Sequence, residues 1–184
     1  MVIGHLGVAL GARALKRDAP LSWLVAASFA PDIVDLAVPA IETCHAPGFH
    51  SHSLPAVALL ATLIALLARW QLKSWRLAGV MAALTVLHVV ADYITGDKVL
   101  WFGGPIVGLD LYDWPWADLV VESCVIGTGW WMFRRAEGRL RWLRSGIALA
   151  TLLSIQTIAD IEIKRTRASR IDPCLVSPRQ EDPL

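Results

Sequence analysis

Apolar residues along the chain fall into six long blocks that are separated by short charged runs. Such blocks predict membrane-crossing helices, because a helix needs about 20 apolar residues to span the ~30 Å hydrocarbon core. We expect the first block to be tilted or re-entrant, since at ~1.5 Å per residue it is too short to span. The predicted segments cover residues 2–15, 21–41, 53–69, 77–95, 116–133 and 145–162.

Composition supports a membrane protein. Hydrophobic residues make up 55% of the 184 residues, charged residues 18%, and the mean hydropathy is +0.52, whereas soluble domains have about 45–50% apolar and about 25% charged residues. We therefore predict an all-α, polytopic membrane protein with about six transmembrane or re-entrant helices. Residues 1–163 would form the membrane-embedded domain, and residues 164–184 a polar, disordered tail. The net charge of +1 excludes an overall basic surface, so no nucleic-acid partner is expected.

The distribution of basic residues predicts the orientation of the segments. Eleven Lys and Arg residues follow the first, third and fifth segments, whereas the connection 42–52 has none and the connection 96–116 has only Lys98. Because cytoplasmic loops carry an excess of Lys and Arg, these last two connections are expected to face the periplasm. The protein is therefore predicted to lie in a bacterial inner membrane, with membrane lipids as its surroundings.

Ionisable residues inside the segments are the candidates for function, because a charge in the bilayer is costly to bury. With the orientation above, most of them fall in the outer half of the membrane and predict one polar site that opens outward. We expect Asp118 at the interface, and Asp160 with Glu162 in a terminal ion-pair cluster. The candidates for the site are His5, Asp32, Asp35, His50, His52, His88, Asp92 and Glu122.

Residue spacing points to a metal site. His88 and Asp92 are four residues apart on a predicted helix and project from one face, so both can bind a single ion. Asp32 and Asp35 share a face in the same way, beside Pro31, which can open the helix. Histidine and carboxylate ligands without thiolate suit Zn²⁺, with Mn²⁺ or Fe²⁺ as alternatives. His50 and His52, at the start of the third segment, are further candidate ligands.

The order of the motifs over roughly residues 1–135 resembles a known family. The motifs are GHLGVALGARAL, APDIVD, SHSL, HVVADYIT, WFGGPIVGLDLY and VES. They are similar to bacterial membrane-bound metal-dependent hydrolases and, more distantly, to zinc-dependent phospholipase C domains. The resemblance implies that His5, Asp32, His52, His88 and Asp92 are metal ligands, and that Glu122 is the acidic residue of a later span. Two further histidines of relatives have no counterpart, since Pro47 and Gly96 stand there.

These observations predict a metal-dependent hydrolase that acts on a lipid-linked or amphiphilic phosphoester at the outer leaflet. Glu122 or Asp35 is the predicted general base. Two alternatives remain open at this point. The same histidines and carboxylates could form a proton or cation relay in a transporter, or the metal could be purely structural.

Overall fold

The computed structural model describes residues 3–37, 51–101, 104–136 and 140–169. These residues form seven α-helices, one two-stranded antiparallel sheet and a short 3-10 helix, Leu111–Asp113. The all-α prediction is thus correct for the bulk of the fold. The helices are α1 (Gly4–Leu15), α2 (Leu21–Ser28), α3 (Ala30–Ala37), α4 (Leu54–Leu72), α5 (Trp75–Thr95), α6 (Pro115–Ala136) and α7 (Gly146–Ser169), and the strands are β1 (Asp97–Val99) and β2 (Ile106–Gly108).

Among the described residues, three helices are long and apolar enough to cross a membrane. They are Leu54–Leu72, Trp75–Thr95 and the stretch Gly146–Arg165 of α7. The six predicted segments all contain helix, but the second one is divided into α2 and α3. Helix α7 continues to Ser169, so the first residues of the predicted tail are helical, and residues 170–184 lie outside the described part of the chain.

The division between α2 and α3 follows from the sequence around Pro31. Helix α2 ends at Ser28, and Phe29 takes a non-helical conformation as its C-cap. Helix α3 begins at Ala30, and a proline in a first helical turn removes an N–H that would have no intrahelical partner there. The chain can therefore change direction at Phe29, which leaves the last carbonyl groups of α2 open to other donors.

Helices α4 and α5 form a hairpin whose turn is two residues long. Lys73 ends α4 in the left-handed conformation, with φ of 55°, and the hydroxyl of Ser74 accepts a hydrogen bond from the backbone N–H of Leu77. This turn places the two helices side by side. Their buried faces pack with α1 and α2 in a core of small and medium apolar residues that includes Ala9, Leu24, Ala68, Met81 and Leu84.

Helix α1 crosses α6 at backbone contact because both helices have glycine there. A Cβ atom on Gly129 would lie 1.9 Å from the carbonyl oxygen of Gly7, and one on Gly7 would lie 2.7 Å from Cα of Ile126. No other residue fits at this crossing without separating the helices. The close approach brings the first turn of α1 next to the first half of α6.

Candidate metal centre

The break after α2 exposes carbonyl groups that side chains of α5 bind. The hydroxyl of Thr85 donates to the carbonyl oxygen of Ala27 at 3.1 Å, and Nδ1 of His88 lies 2.7 Å from the carbonyl oxygen of Ser28. A carbonyl oxygen only accepts, so Nδ1 of His88 carries the proton. The other ring nitrogen, Nε2, then has a free lone pair and points away from α2. This is the tautomer that a metal-binding histidine needs.

His52 is oriented in a similar way just before α4. Its Nδ1 lies 2.7 Å from the hydroxyl oxygen of Ser51 and 3.3 Å from Oδ2 of Asp35. Because the Asp35 carboxylate only accepts, a proton on Nδ1 satisfies it, and Nε2 is then the ring nitrogen that can bind a metal. The backbone of His52 is also held, since the hydroxyl of Tyr93 donates to its carbonyl oxygen at 3.3 Å.

Four side chains from three parts of the chain meet at one point. We call Asp32, His52, His88 and Asp92 the His–Asp cluster; one ligand atom of each lies within 4.8 Å of the others. The two Nε2 atoms are 3.1 Å apart. Oδ2 of Asp92 lies 2.9 Å from Nε2 of His52 and 3.5 Å from that of His88, and Oδ1 of Asp32 lies 3.5 Å from both.

These distances fit a small divalent ion. Zinc binds nitrogen and oxygen ligands at about 2.0–2.1 Å, so the ligand atoms of a tetrahedral site lie ~3.3–3.4 Å from one another. The five separations, from 2.9 to 3.5 Å, bracket that value. Two lone pairs and two carboxylate oxygens at such distances repel one another unless a proton or a cation lies between them. The cluster could therefore hold a metal ion.

His5 reaches the same cluster from α1 but occupies a different position. Its Nε2 lies 3.1 Å from Oδ1 of Asp92, the carboxylate oxygen that does not face His52, and its ring stacks on that of His88 with centroids 3.7 Å apart. The hydroxyl of Ser28 donates to the carbonyl oxygen of His5 at 2.7 Å, which fixes this turn of α1 against α2. His5 thus orients Asp92 rather than joining the four ligand atoms.

The electrostatics of the cluster favour a positive charge at its centre. Burial acts to lower the pKa of His52, but the carboxylates of Asp32 and Asp92 outweigh burial, and the pKa lies above its ordinary value. Burial acts to raise the pKa of Asp32, but hydrogen bonding to His52 and His88 lowers it overall. Both shifts have one cause, which is the mutual attraction of the imidazole rings and the carboxylates.

The cluster is closed on the α5 side and open on the α3 side. His52, His88 and Asp92 are buried, whereas the side chains of Asp32 and Asp35 are 43% and 49% exposed. An apolar groove of about 150 Å³ begins at Ser51 and continues along α4. Its other lining residues are Val34, Ala56, Leu59, Leu60 and Leu63.

The structure brings together most, but not all, of the site predicted from the sequence. Asp32, His52, His88 and Asp92 meet, Asp35 contacts His52, and His5 contacts Asp92. His50 lies outside the described residues. Glu122 is placed elsewhere, since its Oε2 accepts a hydrogen bond from the backbone N–H of Gly4 at 2.9 Å.

A second buried polar group was not predicted. Asp118, Glu122 and Asp160, which we call the carboxylate cluster, each offer an oxygen atom within 4.8 Å of the others. The expectation that Asp160 lies in a terminal ion-pair cluster is wrong, because Asp160 is buried and accepts from the amide of Gln156. Asp118 is also buried between the helices, and its place at the membrane interface stays a prediction. Only the neighbouring pair Glu162 and Arg165 behaves as expected, with a separation of 3.9 Å at the surface.

Comparison with known proteins agrees with a membrane protein. The family model of the YdjM inner membrane protein matches residues 1–162, which include all of α1 to α6 and most of α7. No curated protein and no solved structure matches the chain. The match covers both clusters and the described helices with the length and composition of membrane spans. The chain belongs to the YdjM inner membrane protein family.

Proposed function

We propose that this protein is a metal-dependent hydrolase that acts on a lipid-linked or amphiphilic phosphoester at the outer leaflet of the inner membrane. The observation that carries the proposal is the His–Asp cluster, with two imidazole nitrogens and two carboxylate oxygens at metal-binding distances and one side open to solvent. The motifs that resemble those of membrane-bound metal-dependent hydrolases support the reaction type.

The donor set favours Zn²⁺, with Mn²⁺ or Fe²⁺ as alternatives. Asp32, His52, His88 and Asp92 would hold the ion, which would lower the pKa of a bound water toward ~7 and polarise the phosphoryl oxygen. His5 is a positioning residue, because its hydrogen bond to Oδ1 of Asp92 leaves Oδ2 directed at the two histidines.

Asp35 is the group best placed to act as general base. Its carboxylate lies at the open side of the cluster, half exposed, and 3.3 Å from the ring of His52. A base must reach the water whose proton it takes, directly or through one more water. Glu122 accepts from the backbone N–H of Gly4 and is grouped with two other carboxylates, so it is not placed to act as this base.

The groove along α4 supports an amphiphilic substrate. It begins at Ser51, whose hydroxyl contacts the ring of His52, and it continues past Leu59 and Leu63, which are more than half exposed on a candidate membrane span. An acyl or prenyl chain in this groove would place its ester at the open side of the cluster. Apart from Ser51, the residues that line the groove are apolar, as a hydrocarbon chain requires.

We further propose that the protein is multi-pass and that the cluster faces the periplasm. The support is the distribution of Lys and Arg, since the connections that flank His52 and follow Asp92 hold one basic residue between them. Cysteine labelling from outside cells, at positions 46 and 98 against positions 73 and 139, tests the orientation. Labelling of the second pair alone would place the site on the cytoplasmic side.

Ion transport is the second candidate function, and one observation favours it. The first turn of α1 contacts both clusters, because Gly4 donates to Glu122 while His5 binds Asp92. A chain of buried titratable groups of this kind resembles a proton or cation relay. The third possibility is a purely structural metal that holds the helices together. It predicts neither ester hydrolysis nor ion flux.

The test is turnover of purified, metal-loaded protein on phospholipids and lipid phosphates in mixed micelles, beside a water-soluble phosphate ester. The proposal predicts that wild type hydrolyses at least one lipid ester faster than the soluble ester. Asp35→Asn should keep its metal and lose about 10²–10⁴-fold in rate, whereas Asp18→Asn, an exposed carboxylate remote from the cluster, should match wild type. Metal-loaded wild type that hydrolyses no ester but carries metal-dependent ion flux in proteoliposomes would contradict the proposal.

A further inference from the structure

The carboxylate cluster is built from facing pairs on two helices. Asp118 and Glu122 are four residues apart on α6 and share a face, and Gln156 and Asp160 have the same spacing on α7. Relative exposures are 0% for Asp118, Glu122 and Gln156, and 7% for Asp160. Three carboxyl groups are therefore enclosed between the helices.

Part of this cluster is satisfied by hydrogen bonds from neighbouring groups. The backbone N–H of Gly4 donates to Glu122 at 2.9 Å, the backbone N–H of Ile3 donates to Oε1 of Gln156 at 2.8 Å, and the amide of Gln156 donates to Oδ1 of Asp160. These contacts dock the N-terminus of α1 on α6 and α7. They also fix the orientations of the Glu122 and Asp160 carboxylates.

Asp118 lacks such support although it is fully buried. Both of its carboxylate oxygens, and Oδ2 of Asp160, have no hydrogen-bond donor within the described part of the chain. A buried ionised carboxylate without a partner costs several kcal/mol, so it requires a proton or a cation. Asp118 has its carboxylate within 4.8 Å of those of Glu122 and Asp160, which concentrates negative charge at one point.

A cavity between the two helices reaches Asp160 from the surface. It has a volume of about 230 Å³, lies between α6 and α7, and is lined by Asp160 together with Trp116, Leu119, Thr157 and the exposed Lys164. Asp160 is the member of the cluster that lines this cavity. No ion pair among the described residues joins Lys164 to Asp160.

We propose that Asp118, Glu122 and Asp160 bind a hard divalent cation of the Mg²⁺, Mn²⁺ or Ca²⁺ class. The cluster offers only oxygen ligands, which such ions prefer, and water in the cavity can complete a coordination number of six or more. The ion neutralises the buried charge and locks α6 and α7 around the first turn of α1, from which His5 extends to Asp92. The site does not depend on the hydrolase proposal.

The test uses full-length protein in mild detergent that is stripped with a chelator, reloaded with one equivalent of Zn²⁺ and titrated with Mn²⁺. Bound Mn²⁺ is counted by the loss of the electron paramagnetic resonance signal of the free ion. Wild type is expected to bind one Mn²⁺ per chain, displaced by Mg²⁺ or Ca²⁺. Asp118→Asn should weaken the affinity at least tenfold, and Glu162→Gln, an exposed carboxylate on α7, should change it less than twofold.

Two further variants keep the test decisive. If Asp118→Asn does not fold, as judged by helical circular dichroism, Asp160→Asn replaces it with the same expected loss. His88→Ala should retain the Mn²⁺ site within twofold, because His88 belongs to the other cluster. If wild type shows no saturable Mn²⁺ binding, the proposal is overturned. The buried carboxylates are then neutralised by shared protons or by a cationic group from outside the described residues. Mn²⁺ binding that is lost in His88→Ala and kept in Asp118→Asn would overturn it as well.

Discussion

The His–Asp cluster and the carboxylate cluster are built on the same plan with different donors. Each has a pair of residues four apart on one long helix, His88 and Asp92 on α5 or Asp118 and Glu122 on α6. Each is completed by side chains from other parts of the chain, and each is mostly buried. The difference is that imidazole nitrogens provide half of the ligand atoms in the first and none in the second.

This difference in donor atoms predicts which ions each cluster binds. In the His–Asp cluster, the carbonyl oxygen of Ser28 and the carboxylate of Asp35 hold the protonated ring nitrogens, so that two lone pairs face the centre. Nitrogen and oxygen donors together favour zinc-like ions, whereas oxygen alone favours Mg²⁺, Mn²⁺ or Ca²⁺. The groups that hold the His88 and His52 rings thus help to determine which ion the His–Asp cluster binds.

The largest effect is expected from removal of a ligand of the His–Asp cluster. His88→Ala removes one of two nitrogen donors, and we expect the affinity for Zn²⁺ to fall at least ~100-fold, which exceeds the usual effect of a residue that only orients a ligand. Competition with a fluorescent zinc chelator measures the affinity. Asp118→Asn is the matched control, and an equal loss of zinc in that variant would show that the two clusters are not distinct sites.

A smaller effect is expected at His5, which contacts Asp92 without joining the ligand atoms. His5→Phe keeps an aromatic ring on His88 but removes the hydrogen bond to Oδ1 of Asp92. We predict a 10–100-fold loss of zinc affinity, with partial recovery in His5→Gln, which retains a donor. The same chelator assay measures the affinity. An unchanged affinity for Zn²⁺ in His5→Phe would show that His5 does not position Asp92.

The crossing of α1 and α6 provides a test that should disturb both clusters together. Gly129→Ala places a Cβ atom where it meets the carbonyl oxygen of Gly7, and overpacking of this kind costs about 1–3 kcal/mol. Thermal unfolding in detergent should show the loss. Gly127→Ala is the control, since a Cβ atom there meets nothing within 4 Å and stability should not fall. Equal stability of the two variants would contradict the close packing of the helices.

The smallest effect is expected at the surface of α7. Glu162 and Arg165 are both mostly exposed and 3.9 Å apart, and such a pair contributes little to stability. Glu162→Gln should therefore change the free energy of unfolding by less than about 0.5 kcal/mol. A much larger change, measured in the same unfolding experiment, would mean that the end of α7 is not exposed in the membrane-embedded protein.

Sequence alone sufficed for the ligands that helical spacing brings together. His88 and Asp92 lie on one face of one helix, so their proximity requires no knowledge of packing. Pro31 marks the place where the second segment divides into α2 and α3, and that division exposes the carbonyl oxygen of Ser28 for His88. The role of that carbonyl was not predictable, because it depends on how α2 packs against α5.

The carboxylate cluster was missed because it depends on contacts between helices. Nothing in the spacing of Asp118 and Asp160 tells which face of α7 turns toward α6, and the basic residues after Asp160 favoured a surface position. The signal that could have found the cluster is the repeated spacing of four, in Asp118 and Glu122 and again in Gln156 and Asp160. The placement of Glu122 at the N-terminus of α1 likewise follows from the glycine crossing.

We expect the His–Asp cluster to bind a zinc-type metal independently of the carboxylate cluster. Elemental analysis of wild type, Asp92→Asn and Asp118→Asn, purified in mild detergent and compared with their helical circular dichroism, tests it directly. We predict stoichiometric Zn²⁺ or Fe²⁺ in wild type and in Asp118→Asn, and loss of that metal in Asp92→Asn. Folded wild type without stoichiometric Zn²⁺ or Fe²⁺, or Asp92→Asn with the full wild-type content of that metal, would show that the His–Asp cluster is not the metal site.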